Sequence, residues 1–123
     1  PPPVFAIYMV AKVCRWLRNQ GGIDAIHAIN RRKARMLYDA IDATDFYRGT
    51  VDPEDRSTMN ATFRLHDPDL EPVFLQKAEQ EGLLGLSGHR SVGGVRASMY
   101  NAMPEAGVRR LVAFMEEFER THG

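Results

Sequence analysis

The residues best suited to chemistry in this chain lie in one run, GHRSVGGVRASMYNAMP, at residues 88–104. It sets a histidine and two arginines, His89, Arg90 and Arg96, around a paired glycine, Gly93-Gly94. An arginine fork grips a carboxylate or a phosphate through two parallel hydrogen bonds, which a lysine ammonium cannot imitate. Two guanidiniums and an imidazole turned toward one place make a receptor for an anion, or for two. The turning falls to the glycines, because a step without Cβ atoms can bend or bulge the backbone and bring its flanks together. A single arginine beside a turn is ordinarily solvated or in a weak ion pair. The combination sets this run apart.

The elements around the run must hold those side chains in place. Val95, Ala97 and Met99 alternate with Arg96, Ser98 and Tyr100, the period-2 pattern of a strand with two different faces. Met59, Ala61, Phe63 and Leu65 alternate in the same way with Asn60, Thr62 and Arg64, a second half-buried strand. Residues 83–86 read as a third, short and buried strand leading into the anion run. Residues 46–57, FYRGTVDPEDRS, read as turn, with Asp52-Pro53 as a stop.

Helices fill the rest. Residues 4–20 carry apolar positions at Phe5, Tyr8, Met9, Val13, Trp16 and Leu17, ended by Gly21-Gly22 as a left-handed stop. A second helix runs from Ile23 to about Ala43 and buries Ile26, Ile29, Leu37 and Ile41. Its basic run, Arg31, Arg32, Lys33 and Arg35, reads as a solvated face near Asp39 and Asp42. Asp67 caps a third helix with Pro68 in its first position and Gly82 beyond its end. Pro104 opens the last, whose apolar face is Val108, Leu111, Val112, Met115 and Phe118. The expected fold class is α+β: a three-stranded, mainly antiparallel sheet with helices packed on one face.

Composition narrows the function classes. A chain of 123 residues, 44% hydrophobic and 26% charged, suits one globular domain with a real core. Its formal net charge is +0, so nothing favours nucleic acid or an anionic membrane as a partner. The single cysteine, Cys14, has no partner for an internal disulfide, sits in a helical pattern as a packing residue, and suits a reducing, cytoplasmic setting. His27, His66, His89 and His122 do not stand at metal-ligand spacing, and no serine occupies a nucleophile elbow. Gly93-Gly94 lacks the further glycines of a dinucleotide fingerprint.

At this point the residues resemble a known family. The run at 88–104, with Gly107-Val108 and the ending FMEEFERTHG, is similar to the C-terminal end of the phosphoserine aminotransferase family, a branch of the fold-type-I enzymes that use pyridoxal 5'-phosphate. The resemblance extends upstream through PPPVFAIYMV (1–10), Trp16-Leu17, Gly21-Gly22, INRRKARMLYDAID (29–42), DFYRG (45–49) and RSTMNATFRL (56–65), so it covers essentially the whole chain. It implies that Arg96 binds the α-carboxylate of the amino-acid substrate. It implies that His89 and Arg90 bind the distal anion, a phosphate in phosphoserine and a carboxylate in glutamate. The implied reaction is transamination between phosphoserine and 2-oxoglutarate in serine biosynthesis, by a homodimer.

That family needs a lysine to bond its cofactor covalently and an acid to pair with the pyridine nitrogen. Here the lysines are Lys12, Lys33 and Lys77, each in a helical pattern and none in the family's lysine motif. The family's Asn-Thr pair, which holds the cofactor phosphate across a dimer interface, would end just before Pro1. The expectation is a C-terminal fragment: a small domain spanning 1–123, with a leading connector helix over about 1–22 and the large cofactor-binding domain absent. Such a segment supplies substrate clamps, contributes no catalytic residue, and is inactive alone. The alternative is a stand-alone anion-binding or regulatory module without catalysis.

Overall fold

The computed structural model describes all residues from Pro1 to Gly123. In chain order the elements are α1 (Val4–Asn19), α2 (Gly22–Asp42), β1 (Tyr47–Gly49), a 3-10 turn at Pro53–Asp55, β2 (Asn60–Leu65), α3 (Leu70–Gln80), β3 (Val95–Ser98) and α4 (Glu105–His122). The strands form one antiparallel sheet in the order β1-β2-β3, with Tyr47 opposite Leu65 and Thr62 opposite Arg96. The fold class is the α+β arrangement expected.

Two strand assignments differ from the sequence reading. The third strand is Tyr47–Gly49, inside the segment read as turn, and residues 83–86 are not a strand. The chain there meets the outer edge of β3 only at Leu86 and Ser87, where the Arg96 N–H donates to the Leu86 carbonyl (2.8 Å) and Ser87 bridges Val95, and Leu84 is 72% exposed. A short apolar run becomes a strand only where a neighbouring backbone meets it along its length, and Gly85, at φ +74°, turns the chain so that residues 83–85 leave the edge of β3. Asp67 and Pro68 lie ahead of α3, which starts at Leu70; the Asp67 carboxylate accepts from the Asp69 N–H (2.9 Å) in a turn.

The core explains why one face of the sheet is dry. Ala61, Phe63 and Leu65 alternate inward from β2, and Val95 and Ala97 from β3. Helix α2 covers them with Leu37 and Ile41, α3 with Phe74, and α4 with Val108, Met115 and Phe118. Phe63 meets Tyr47 and Phe74 edge-on at centroid distances of 5.7 and 6.1 Å, the arrangement that ring quadrupoles favour. The Tyr47 hydroxyl reaches the Met115 carbonyl (2.8 Å), and burial raises its pKa above the ordinary tyrosine value. Helix α1 has no buried residue: Phe5 is 76% exposed, and Tyr8, Met9, Val13 and Trp16 are exposed too. No helix is long and apolar enough to cross a membrane.

The basic run on α2 is not a uniformly solvated face. Arg31, Arg32 and Arg35 are exposed, but Lys33 is fully buried and donates to the carbonyls of Met99 (3.0 Å), Tyr100 (2.8 Å) and Met103 (2.9 Å). Those bonds use all three ammonium protons and tie α2 to the chain just after β3. Asn30, one turn earlier, adds a bond to Asn101 (2.8 Å). Replacing Lys33 by methionine preserves volume but strands three carbonyls, which should cost about 1–3 kcal/mol of unfolding free energy. Urea denaturation of this chain measures it, and an unchanged midpoint would mean that water replaces the ammonium freely.

Asp42 closes α2 and holds Arg56 through both carboxylate oxygens, one bond measuring 2.9 Å. The Arg56 hydrogen bond holds the Asp42 carboxyl below its ordinary value of 3.8, with partial burial opposing. A depressed carboxyl pKa stabilises the fold above the unfolded value, and that contribution is lost as pH falls through the folded value. Stability should therefore drop below pH 3.8, and Asp42→Asn should flatten that acid limb. Thermal unfolding of both forms between neutral pH and pH 3 is the check.

Candidate substrate-anion site

Alternation along β3 puts Val95 and Ala97 into the core and Arg96 on the sheet's open face, across from Thr62. Arg96 is half-buried, and its Nε–H is buried with no hydrogen-bond partner. A buried donor left unsatisfied costs roughly 1–3 kcal/mol, so the position is unfavourable unless an acceptor comes to it. Arg96 also meets no carboxylate, whereas Arg64 on the adjacent strand is paired with Glu71.

His89 and Arg90 sit in the loop between the Ser87–Val95 bridge and its return into β3. The loop closes at its base through Gly88 N–H to the Gly94 carbonyl (2.9 Å), and turns at its tip where Val92 and Gly93 both donate to the His89 carbonyl. Gly93 and Gly94 have φ of +74° and +72°, conformations that side-chain-bearing residues rarely adopt. At Gly94 a Cβ would also lie 2.5 Å from the Arg64 Cδ, so both conformation and space require glycine there. Arg90 is exposed, with no ion pair. The Ser91 N–H donates to His89 Nδ1 (3.3 Å), and Ser91 Oγ lies 2.7 Å from it. With Nδ1 accepting, the ring proton resides on Nε2, which is left as a donor.

The fold thus puts the tip bearing His89 and Arg90 and the strand bearing Arg96 on one continuous hairpin-like segment, joined by the glycine pair. No hydrogen bond links the three side chains to one another; each keeps its donors for something else. The open face adds residues that sequence reading had not singled out. Ser98 Oγ donates to Asn60 Oδ1 (2.9 Å), and Asn60 Nδ2 to the Tyr100 hydroxyl (3.4 Å). Hydrogen bonds with Asn60 and Ser98 lower the Tyr100 pKa, with Arg96 close enough to add to the effect. The signal for Asn60 and Ser98 was present in the alternation, which assigns them to the face of Arg96.

The same geometry tests the expected cofactor. Lys33 is committed to three backbone carbonyls, and burial lowers its pKa against the pull of Glu105. Lys12 lies over the Tyr8 ring on the exposed α1, and Lys77 contacts His122 on α4. None makes a hydrogen bond to His89, Arg90 or Arg96, and each already has other contacts, so the residues of this chain do not by themselves fit a covalently held pyridoxal phosphate.

The family model for class-V aminotransferases matches residues 1–111. The chain belongs to the class-V aminotransferase family. Within that family it is 54% identical to the phosphoserine aminotransferase of Bordetella avium over 122 residues, covering 99% of this chain and 32% of that one. It is 56% identical to the phosphoserine aminotransferase of a Marinomonas species, again over 99% of this chain and 34% of the relative. The solved phosphoserine aminotransferase of Bacillus circulans subsp. alkalophilus superposes with a TM-score of 0.95 at 52% identity, covering all of this chain and 34% of that one. A PLP-bound phosphoserine aminotransferase from Trichomonas vaginalis superposes at 0.87 with 40% identity, covering 94% and 34%. The chain spans about a third of the length of these relatives.

Proposed function

We propose that this chain is the C-terminal part of a pyridoxal-phosphate-dependent transaminase. The enzyme moves an amino group between O-phospho-L-serine and 2-oxoglutarate, giving 3-phosphohydroxypyruvate and L-glutamate, and runs in the opposite sense for serine biosynthesis. Relatives from several bacteria that carry the name phosphoserine aminotransferase support the reaction, and the PLP-bound relative supports the cofactor. In this reading residues 1–123 are the small domain, α1 is its connector, and the exposed apolar face of α1 packs on a large domain outside this chain. The whole enzyme is a cytoplasmic homodimer with small-molecule substrates and no nucleic-acid or membrane partner.

Arg96 carries the assignment of roles: a half-buried guanidinium on the sheet's open face, its buried Nε–H without an acceptor. It binds the substrate α-carboxylate, the group that phosphoserine and glutamate share. His89 and Arg90, at the exposed tip, bind the distal phosphate or carboxylate. These residues move no proton at the substrate carbon. They fix the substrate at both ends, which orients the bond to be broken and removes rotational freedom before the reaction. The reacting groups lie outside this chain.

The experiment uses both forms. The 123-residue chain, mixed with pyridoxal phosphate, phosphoserine and 2-oxoglutarate, should form no stoichiometric cofactor adduct and no glutamate. The full-length protein under the same conditions should do both. Turnover by the short chain, or none by the long one, would overturn the assignment, the second outcome in favour of a stand-alone anion-binding module.

A further inference from the structure

The tip of the 88–94 loop is tied to the rest of the fold by one hydrogen bond, from Arg64 Nη1 to the Val92 carbonyl (3.3 Å). The other bonds within the tip are local, between Val92 or Gly93 and His89, or between His89 and Ser91. Arg64 is itself held from the opposite side. Its Nε donates to Glu71 Oε1 (2.6 Å), and the same carboxylate oxygen accepts from the Leu65 N–H (3.3 Å). Glu71 is buried at the start of α3, so the anchor belongs to the core and is no mobile surface acid. Gly94 is where the Arg64 stem passes: a Cβ there would meet Arg64 Cδ at 2.5 Å and Nε at 3.2 Å.

We propose that Arg64 is a positioning residue for the distal-anion loop, transmitting the fixed placement of Glu71 in α3 through Val92 to His89 and Arg90. The proposal rests on the assignment of those two residues to the distal anion. With Arg64 in place the tip is held in its binding shape before the substrate arrives. Without it the tip must be ordered at the moment of binding, which weakens affinity by the fraction of time the loop is competent. The effect is confined to substrates with an anion at the far end, because Arg96 stands on β3, whose ladder to β2 does not depend on the tip.

The test uses the full-length enzyme and dissociation constants for phosphoserine and for alanine, which has no distal anion. Arg64→Met should weaken phosphoserine about fivefold to tenfold and leave alanine within about twofold, as expected for loss of pre-organisation. Combined with Arg90→Ala the losses should be less than additive, since part of the Arg64 effect acts through Arg90 and the rest through His89. Glu71→Gln separates positioning from simple charge. Removing a carboxylate raises the positive potential, so a charge-only role for Arg64 makes phosphoserine bind tighter, whereas loosening the anchor makes it bind weaker. Equal losses for the two amino acids, full additivity with Arg90→Ala, or tighter binding in Glu71→Gln would each overturn the proposal. If Arg90→Ala itself fails to distinguish phosphoserine from alanine, the distal-anion assignment falls first and this proposal falls with it. Discrimination by Arg90→Ala without any by Arg64→Met rejects the positioning role alone.

Discussion

Arg96→Ala in the full-length enzyme should lower kcat/KM for phosphoserine and for glutamate together, by about 2–5 kcal/mol of transition-state stabilisation. The size follows from truncating one partner of a desolvated charge pair, which leaves a carboxylate without its fork. Arg96→Lys keeps the charge and should still lose roughly 1.5–3 kcal/mol, because an ammonium cannot make two parallel bonds from a half-buried strand position. The signature is parallel loss: both substrates present an α-carboxylate, so both must suffer alike. A loss confined to one of them would move Arg96 to the distal end of the substrate. The free protein should respond in the opposite direction. Its buried Nε–H has no acceptor, so removing the guanidinium should leave the fold as stable as before or slightly more so.

Arg90→Ala should separate the substrates. Phosphoserine carries nearly two charges at its far end, glutamate one and alanine none, so the loss should be graded in that order. For phosphoserine a charge-assisted contact is worth about 1.5–3 kcal/mol, or about tenfold to a hundredfold in the dissociation constant. Because Arg90 is exposed and unpaired, the fold should tolerate the change, and thermal unfolding should shift little. His89→Ala should act in the same direction with a smaller effect, since the ring has Nδ1 engaged by Ser91 and presents one nitrogen, Nε2, where a guanidinium offers a charged fork. Dissociation constants for the three amino acids decide it. Equal weakening for all three would make the loop a structural support.

Strand alternation was legible in the linear sequence because it depends on near neighbours. The period of two through Asn60–Leu65 and Val95–Ser98 placed Phe63 and Ala97 inward and Arg64 and Arg96 outward, and the ladder realises that division. The glycine pair announced a turn that only glycine can make, and both residues do adopt positive φ. Helices α1, α2 and α4 followed from apolar spacing and from Gly21-Gly22 and Pro104 at their ends.

Other features depend on parts of the chain far away in sequence. Whether residues 83–86 or Tyr47–Gly49 became the third strand was decided by which backbone lay against β2, and no local pattern states that. Lys33 looked like its neighbours Arg32 and Arg35, yet its surroundings are three carbonyls 66 to 70 residues further on, which make burial of an ammonium tolerable. The link from Glu71 through Arg64 to Val92 is likewise invisible in the sequence, since its members belong to a helix, a strand and a loop. By itself, then, the sequence determined where the guanidinium and imidazole groups fall along the chain and which face of each strand its residues take, because those properties reside in residue type and in the pleat of the backbone. Only the tertiary structure decided which donors remain unpaired and what holds the loop that carries them, because pairing is a property of atoms brought together by the whole fold.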